Sequence, residues 1–171
     1  MGTTPTTLED LLDHAQITEC LHRYARGADR HDAELLRSAY HEDAVDDHGS
    51  FIGTRDEFVD WALRFHADHV RHQHHLSNIT IDLDGDVAHV ETYYVAVLQF
   101  HDEREPLKLH GGRYVDRFER RDGRWAIAAR VSLNEWQHFA TPEQKAGEQR
   151  RGIRQSRDDV SYQRPLTIRQ R

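Results

Sequence analysis

The hydrophobic pattern of this chain changes its period once, near Gln73, and that change limits the fold more than any other feature. Before it, apolar residues recur at helical spacing, as they do over residues 8–25. After it, apolar and polar residues alternate, as in the run that contains Ile79, Ile81 and Leu83. Helices followed by a long series of strands predict an α+β domain, in which the N-terminal helices pack on one face of a curved antiparallel sheet.

Two helices are predicted at the start of the chain. Thr6 and Glu9 have the spacing of a capping box, in which each side chain accepts a hydrogen bond from the other residue's backbone N–H. The first helix is therefore expected to begin there. Asp32 suits the N-cap of a second helix over residues 33–40, because its side chain can accept a hydrogen bond from the free N–H groups of the first turn.

A short strand and a third helix are expected next. Residues 44–48 predict the strand, and Gly49 ends it. Thr54 and Glu57 repeat the capping-box spacing, so a helix is expected to follow them. Its apolar face consists of Phe58, Trp61, Ala62 and Phe65. We expect this face to pack against the sheet.

The second half of the chain predicts an antiparallel meander. The sequence Asp-Gly-Asp at residues 84–86 is a strong hairpin turn, and the alternating run over residues 88–100 is the returning strand. Two more strands are predicted over residues 107–120 and 124–136, joined by the Arg-Asp-Gly turn at residues 121–123. Consecutive strands joined by tight turns pair with one another, so the sheet is expected to follow chain order.

The end of the chain differs in composition from the rest. Residues 141–171 are rich in Arg and Gln and show no periodicity, which predicts a polar C-terminal tail. Residues 1–140 are interpreted as one domain. Packing of the tail on a neighbouring subunit is one role that the sequence leaves open.

Composition limits the partners and the compartment. The formal net charge of -7 argues against a nucleic-acid partner. Cys20 is the only cysteine, which rules out an intramolecular disulfide and fits a reducing compartment. The sequence contains neither a signal-peptide pattern nor an apolar run of membrane-spanning length. We therefore expect a cytoplasmic protein without a membrane partner.

Asp29 and His74 are the main candidates for catalysis. Asp29 falls on the apolar side of the first predicted helix, where an unpaired carboxylate would be costly. His74 lies near the start of the first long strand, and an Asp that orients a His is a common way to build a general base. His75 must point to the opposite face of an extended segment, so a register shift of one residue would exchange the two histidines.

Three further residues are candidates for binding a substrate. Tyr94 and Tyr114 lie on strand faces that are expected to turn inward, where a hydroxyl could stabilise an oxyanion. The alternative is that both tyrosines belong to the core. Arg130, in the last strand, is a candidate for holding an anionic group, and pairing with Asp116 or another carboxylate is equally compatible with the sequence.

A histidine-rich stretch raises the question of a metal. It contains His66, His69, His72, His74 and His75, of which the first two are one helical turn apart. Neither a cysteine pair nor a His-Glu-x-x-His helix accompanies it. We therefore predict neither a catalytic metal nor another cofactor, and we expect adventitious nickel or zinc before a physiological ion.

Six short motifs follow one another in a characteristic order between residues 8 and 136. They are Tyr24-Ala25-x-x-x-Asp29-x-x-Asp32, Leu36-x-Ser38, Asp43-Ala44, His74-x-Leu76-x-Asn78, Asp82-Leu83-Asp84-Gly85-Asp86-x-Ala88 and Tyr114-x-Asp116-x-Phe118-x-x-x-Asp122-Gly123-x-Trp125-x-Ile127. Their order and spacing resemble the SnoaL-like branch of the NTF2-like superfamily, which implies a cone-shaped α+β barrel. Functions within that superfamily are diverse, so the fold alone decides little about activity.

Within the superfamily, the chain is most similar to the scytalone dehydratase and hexachlorocyclohexane dehydrochlorinase group. In those enzymes an Asp at the end of the first helix orients a His, which removes a proton while a leaving group departs from the neighbouring carbon. The resemblance assigns these roles to Asp29 and His74. It also places His48 where scytalone dehydratase has a second pocket tyrosine, which makes His48 a candidate for substrate binding.

Several positions depart from the scytalone dehydratase pattern. Ala28 stands where that enzyme has a tyrosine, and a second histidine of its central strand falls near Val97. Gly112 and Tyr114 stand where it has a serine and an asparagine. The Asp–His pair is retained while most of the other pocket residues are not, which implies a different substrate.

The sequence thus predicts a cofactor-independent lyase of the dehydratase type, acting on a small cyclic, polyketide-like or steroid-like substrate. A non-catalytic small-molecule-binding or assembly module is the first alternative, and a polyketide cyclase or isomerase is the second. The outward face of the long sheet is also more apolar than a solvated surface requires, which predicts a homodimer or homotrimer. The residues concerned are Val87, Tyr93, Val95 and Val97.

Overall fold

The computed structural model describes Gly2 and residues 4–102, 105–140 and 156–162. In chain order the elements are α1 (Leu8–Asp29), α2 (Ala33–Arg37), β1 (Tyr40–Asp47), β2 (Ile52–Thr54), α3 (Arg55–Ala67), β3 (His69–Asp84), β4 (Val87–Phe100), β5 (Leu107–Arg121), β6 (Arg124–Ala140) and a short 3-10 helix (Val160–Tyr162). The six strands form one curved sheet in the order β2-β1-β6-β5-β4-β3. All neighbouring strands are antiparallel except β1 and β6, which are parallel. The predicted α+β class, with N-terminal helices on a mostly antiparallel sheet, is confirmed.

Helix α1 begins one residue later than the sequence suggested. The N-cap is Thr7, whose side chain accepts a hydrogen bond from the Asp10 backbone, and the Asp10 carboxylate accepts one in return from the Thr7 backbone N–H. The prediction of a box formed by Thr6 and Glu9 was therefore wrong by one position. Thr6 and Thr7 are adjacent, so the capping box could begin at either of them. It begins at Thr7, and its third helical residue is Asp10 and not the glutamate that is common there.

The second helix is shorter than predicted, and the strand after it is longer. Helix α2 ends at Arg37, and β1 already begins at Tyr40. Tyr40 pairs with Ile127 of β6 in parallel, so the strand is stabilised by a partner far away in the sequence. A sequence pattern over a few residues does not reveal such a distant partner. The capping box of Thr54 and Glu57, by contrast, is present at the start of α3.

Strand β3 begins at His69, four residues before the change of period at Gln73. His69 and His72 are buried at its start. Because histidine is not counted as apolar, the hydrophobic pattern did not indicate that the strand begins there. The hairpin to β4 forms as predicted, with Gly85 at a φ of 61°. The predicted inward face of β4 is buried except at Phe100, at the end of the strand, which is partly exposed. Its buried residues are Ala88, Val90, Thr92, Tyr94, Ala96 and Leu98.

The pairing of β5 with β6 is interrupted by a bulge next to Gly112. A Cβ atom at Gly112 would lie 1.8 Å from the Leu133 carbonyl oxygen, so only glycine permits this approach of the two strands. Strand β6 continues to Ala140, beyond the predicted end at Trp136. Trp136 and Phe139 in this extension are 46% and 49% exposed.

Part of the predicted C-terminal tail packs against the chain's own helices. The Arg157 guanidinium donates to the Asp32 carboxylate at 2.7 Å, and the Tyr162 hydroxyl donates to the same carboxylate at 3.0 Å. The Arg26 guanidinium lies 4.4 Å above the ring of Tyr162. Residues 141–155 and 163–171 lie outside the described residues, so the domain limit at residue 140 and packing on a neighbour stay predictions.

Within the described residues, no helix is long and apolar enough to cross a membrane.

Candidate active site

Asp29 and His74 meet where the C-terminal end of α1 crosses the start of β3. The Nδ1 atom of His74 lies 2.7 Å from Oδ1 of Asp29. The backbone N–H of His74 also donates to both carboxylate oxygens, at 3.2 and 3.1 Å. The side chains of Asp29 and His74 are 15% and 7% exposed. The structure therefore brings together the two residues that the sequence singled out.

Asp29 is a carboxylate at neutral pH. Burial raises the pKa of Asp29, but hydrogen bonds from His72 and His74 and the charge of His74 outweigh burial and lower this pKa to about 2. A carboxylate beside Nδ1 favours the tautomer with the proton on that nitrogen. The Nε2 atom of neutral His74 is then free to accept a proton, and Asp29 stabilises the imidazolium that forms.

A second histidine contacts the same carboxylate. His72 Nδ1 lies 3.3 Å from Asp29 Oδ1, and His72 Nε2 lies 2.8 Å from Nε2 of His31. The ring of His66 stacks on His72 with a centroid distance of 4.1 Å. Burial lowers the pKa of His72 and of His66, so both rings are neutral near pH 7. The sequence had marked His72 only as part of the histidine-rich stretch.

One set of donor atoms has the spacing of a metal site. One atom each from Asp29, His72 and His74 lies within 4.8 Å of the others. This set contains neither His66 nor His69, the two histidines that the sequence places one helical turn apart. Two imidazoles and a carboxylate suit zinc or nickel. The expectation that the protein uses no metal stays a prediction.

His74 lies on the wall of an interior cavity of about 180 Å³. The polar and aromatic side chains on its wall include Tyr24, His48, His66, Tyr94, His110 and Tyr114. A second, more open depression of about 380 Å³ is lined by Asp29, His74 and His75. Of the two histidines, only His74 also lines the interior cavity.

Tyr94 and Tyr114 both line this cavity, with their rings stacked at a centroid distance of 4.4 Å. Burial raises the pKa of both hydroxyls, so both stay protonated and can donate a hydrogen bond. They are buried, as the core alternative required, and they also contribute to the cavity wall. Their contact with a substrate stays a prediction.

Arg130 has a carboxylate partner inside the protein. Its Nε and Nη2 atoms donate to the two oxygens of Asp116, each at 2.7 Å, and both side chains are fully buried. The guanidinium lies 4.1 Å from the ring centres of both Tyr24 and Tyr114. Of the two roles that the sequence left open for Arg130, the structure shows the pairing with Asp116. Arg130 supports the aromatic wall from behind and does not line the cavity.

His48 does line the cavity, and its partner was missed. The Nδ1 atom of His48 forms a hydrogen bond with Oδ1 of Asp46, and the Tyr40 hydroxyl donates to Oδ2 of Asp46 at 2.6 Å. Asp46 is completely buried. Positions two apart in an extended chain share a face, so the spacing of Asp46 and His48 was a signal that the sequence already contained.

Known structures of similar shape cover most of this chain. A candidate scytalone dehydratase from Novosphingobium aromaticivorans is 24% identical, with a TM-score of 0.69 over 80% of this chain and 97% of that one. A hexachlorocyclohexane dehydrochlorinase, LinA Type2, is 17% identical, with a TM-score of 0.73 over 85% and 99%. The Rv3472 protein of Mycobacterium tuberculosis, described as of unknown function, is 26% identical, with a TM-score of 0.67 over 78% of each chain.

These neighbours share the fold of this chain. At 24% and 17% identity, the dehydratase and the dehydrochlorinase are evidence of a shared fold and not of a shared activity. No curated protein matches the chain significantly. A family model described as the SnoaL-like domain matches residues 9–131, which span the three α-helices from the second residue of α1 and the sheet as far as the middle of β6. The match spans well over half of the chain, so this protein belongs to the family of SnoaL-like domains.

Proposed function

We propose that this protein is a cofactor-independent lyase of the dehydratase type, in which His74 abstracts a proton from a small cyclic substrate. The observation that carries the proposal is the 2.7 Å hydrogen bond between Asp29 and a histidine on the wall of an interior cavity. Two neighbours in fold are named for eliminations, one for loss of water and one for loss of hydrogen chloride. Both names are compatible with a reaction that begins with removal of a proton.

The proposed reaction begins at a carbon next to a carbonyl group. His74 Nε2 takes the proton, and Asp29 stabilises the imidazolium through Nδ1. The negative charge that develops on the carbonyl oxygen accepts a hydrogen bond from the hydroxyl of Tyr94 or Tyr114. A group on the next carbon then leaves, and a C=C bond forms.

The cavity favours a small apolar ring. Its wall is largely aromatic, with Tyr24, Phe58 and Trp61 among its residues. A cavity of about 150 Å³ is large enough for benzene, so about 180 Å³ suits one ring of a polyketide-like or steroid-like molecule. Hydroxylated cyclic ketones are the substrate class to test first.

The direct test is exchange of deuterium into hydroxylated cyclic ketones in D2O, followed by NMR, with the enone product followed by absorbance. His74→Gln is expected to lower both rates by about 10²–10⁴-fold, because it removes the base. His75→Gln is the matched control and should leave both rates unchanged, since His75 lines the second depression and not the interior cavity. Thermal unfolding of both variants checks that each is folded. Full activity of His74→Gln would disprove the proposal.

The same assay separates the two alternatives. A binding module would bind a cyclic ketone without exchanging its α-protons in the wild-type protein. A cyclase or isomerase would exchange α-protons and release a product that has lost no water. Mass spectrometry of the product distinguishes this second case from a dehydratase.

We also propose a homodimer or homotrimer, built on the outward face of the sheet, in a cytoplasmic protein whose partner is otherwise a small molecule. Tyr93 is 40% exposed, while Val115 and Val131, which pair across β5 and β6, are each 42% exposed. Leu133 is 37% exposed on the same strand as Val131. Exposed apolar side chains on three neighbouring strands favour association. Light scattering at micromolar concentration tests this, and a monomer would contradict it.

A further inference from the structure

Asp46 and His48 repeat, at another part of the same cavity, the arrangement of Asp29 and His74. In each pair, Nδ1 of the histidine is hydrogen-bonded to an aspartate oxygen, and the imidazole lines the same cavity. The pairs belong to different parts of the fold. Asp46 and His48 come from β1 and the residue just beyond it, whereas Asp29 and His74 come from α1 and β3.

The Asp46 carboxylate has no access to solvent, and it is hydrogen-bonded on both oxygens. Tyr40 donates to one oxygen at 2.6 Å, and His48 is bound to the other. Burial of a carboxylate is costly unless it is paired, and Tyr40 and His48 are the partners of Asp46. The Asp46 carboxylate therefore fixes the position of Nδ1 of His48.

The ring of His48 is held in one orientation. It stacks on Phe58 with a centroid distance of 4.8 Å and an angle of 30° between the planes, and it contacts Trp61 at 5.7 Å. Because Nδ1 is engaged by Asp46, Nε2 is the nitrogen that can serve a ligand. The side chain is 16% exposed, which is more open than that of His74.

Tyr24 contacts both histidines. Its hydroxyl oxygen is 3.4 Å from His48 Nε2, and its ring meets the His74 ring edge-on at a centroid distance of 6.4 Å. A ring bound against Tyr24 would thus lie next to both imidazoles. Two imidazoles beside one substrate can remove a proton from one carbon and deliver a proton to a group on the next.

We propose that Asp46 and His48 form a second acid–base pair, in which His48 protonates the departing hydroxyl group of a cyclic β-hydroxy ketone. This inference rests on the proposed function, since it supplies the acid for a reaction in which His74 supplies the base. Hydroxide is a poor leaving group, so breaking the C–O bond requires a proton at that moment. His48 is the group that can give it, and Asp46 is a positioning residue.

The step is balanced as follows in electrons and protons. The α C–H bond breaks, its proton passes to His74 Nε2, and its electron pair forms the C=C bond. The C–O bond breaks with its pair on oxygen, which takes the proton from His48 Nε2 and leaves as water. The protein then holds a protonated His74 and a neutral His48, and one proton exchanged through solvent restores the starting state.

Several titratable groups surround His48, and they bear on its pH dependence. From β1 these are Asp46 and Tyr40, and from α1 it is Tyr24. From β5 they are Tyr114, His110 and the more distant Asp116. The face toward α3 presents only the rings of Phe58 and Trp61. Burial lowers the pKa of His110 to about 4, so His110 does not add a positive charge near pH 7.

The test compares two substrates that differ only in the leaving group, 3-hydroxycyclohexanone and 3-chlorocyclohexanone. Chloride leaves without a proton, so it does not need the acid. His48→Gln is expected to lower elimination of water by about 10²–10⁴-fold and to change elimination of chloride, above its spontaneous rate, by less than about tenfold. The ratio of the two rates within one preparation does not depend on the fraction of folded protein.

The pH profile gives a second readout. The pH profile of wild-type kcat/KM for the hydroxyl substrate should have an alkaline limb that the profile for the chloride substrate lacks, and this limb should vanish in His48→Gln. Asp46→Asn should also lower elimination of water more than elimination of chloride, because an amide does not hold Nδ1 of His48 as the carboxylate does. Asp47→Asn is the matched control, since the Asp47 carboxylate accepts from the Gly49 backbone and lies on the other face of β1.

Two results would overturn the inference. Equal losses on both substrates would mean that His48 only holds the cavity together, and no loss on either would mean that it has no role. Failure of the proposed function gives a different result, since wild-type protein would then exchange no α-deuterium at all. Exchange that persists in His48→Gln and disappears in His74→Gln supports both assignments.

Discussion

Two aspartates of the interior each hold a basic side chain, in opposite ways. Asp116 and Arg130 are both 0% exposed, and Arg130 occupies both oxygens of the carboxylate. Asp29 and His74 are 15% and 7% exposed, and His74 keeps one ring nitrogen for the cavity. In the first pair, Arg130 binds both carboxylate oxygens of Asp116. In the second pair, Asp29 binds Nδ1 of His74, and Nε2 of His74 is left for the cavity.

This difference indicates a structural role for Asp116 and Arg130 and a chemical role for Asp29 and His74. Although burial favours a neutral guanidine, the charge of Asp116 and its hydrogen bonds raise the pKa of Arg130 well above its usual value, so the guanidinium stays charged. It fixes the rings of Tyr24 and Tyr114 from behind. Asp29, whose pKa is lowered to about 2, instead orients a histidine whose second ring nitrogen is left for the cavity.

The largest expected effect comes from Asp29→Asn. This change should lower the rate of α-deuterium exchange by about 10²–10⁴-fold, because the amide does not stabilise the imidazolium of His74. The free energy of unfolding should change far less, since an amide can keep some hydrogen bonds to the His74 backbone. Kinetics and urea denaturation of the same preparation measure both. If the activity of Asp29→Asn falls only in proportion to the fraction of folded protein, Asp29 has a structural role like that of Asp116, and the prediction is wrong.

Arg130→Met should affect stability first. It leaves Asp116 buried without its counter-ion, which is expected to lower the free energy of unfolding by about 3–5 kcal/mol. The double variant Arg130→Met with Asp116→Leu should recover most of that loss, because no uncompensated charge is left. Urea denaturation of the single and double variants checks this. A stable Arg130→Met protein would contradict a structural role for the pair.

Acid should weaken the fold through the buried histidines. Burial lowers the pKa of His66, His72 and His110, the last to about 4 from the ordinary 6.5. The unfolded chain therefore binds protons first as pH falls below about 6.5, and stability decreases from there toward pH 4. Below pH 3.8, the contribution of Asp29 is lost as well, as its carboxylate is protonated near pH 2. Arg130 should contribute nothing to the slope between pH 7 and about 4, because its guanidinium stays charged.

Denaturation curves across this range test the assignment. His110→Gln should flatten the pH dependence of stability, and His89→Gln, at an exposed position, should leave it unchanged. A slope in His110→Gln equal to that of the wild type would show that other groups cause the acid effect.

The smallest expected effect concerns zinc. Asp29 shares the spacing of a metal site with His72 and His74, whereas Asp116 offers its oxygens only to Arg130. Added Zn²⁺ should therefore inhibit proton exchange, and a chelator should restore it. His72→Gln should weaken the inhibition by on the order of tenfold. Inhibition that is unchanged in His72→Gln would mean that zinc binds elsewhere.

The fold was largely predictable because period and turns are local properties. The alternation of β4 and the turn at Gly85 are visible within a few residues, and both occur as expected. The starts of β1 and β3 were missed for different reasons. Tyr40 is held by a parallel partner in β6, and His69 is a buried polar residue that no apolar count detects.

The candidate site was predictable in part. Asp29 was recognisable because a carboxylate on an apolar helix face needs a partner, and the structure supplies His74. The contribution of His72 was missed because a second hydrogen bond to the same carboxylate depends on how α1 lies across β3. Asp46 was missed although its spacing from His48 was visible, because burial of a strand position was not apparent from one short strand.

The sequence by itself determined the order of helices and strands, the face that each strand presents and the presence of two residues that a simple core would exclude. These properties follow from side-chain periodicity and from the cost of burying charge, which act over a few residues. Only the tertiary structure decided which basic group each aspartate meets. Arg130 takes Asp116, His74 takes Asp29 and His48 takes Asp46, because pairing across a curved sheet sets which side chains share a dry interior.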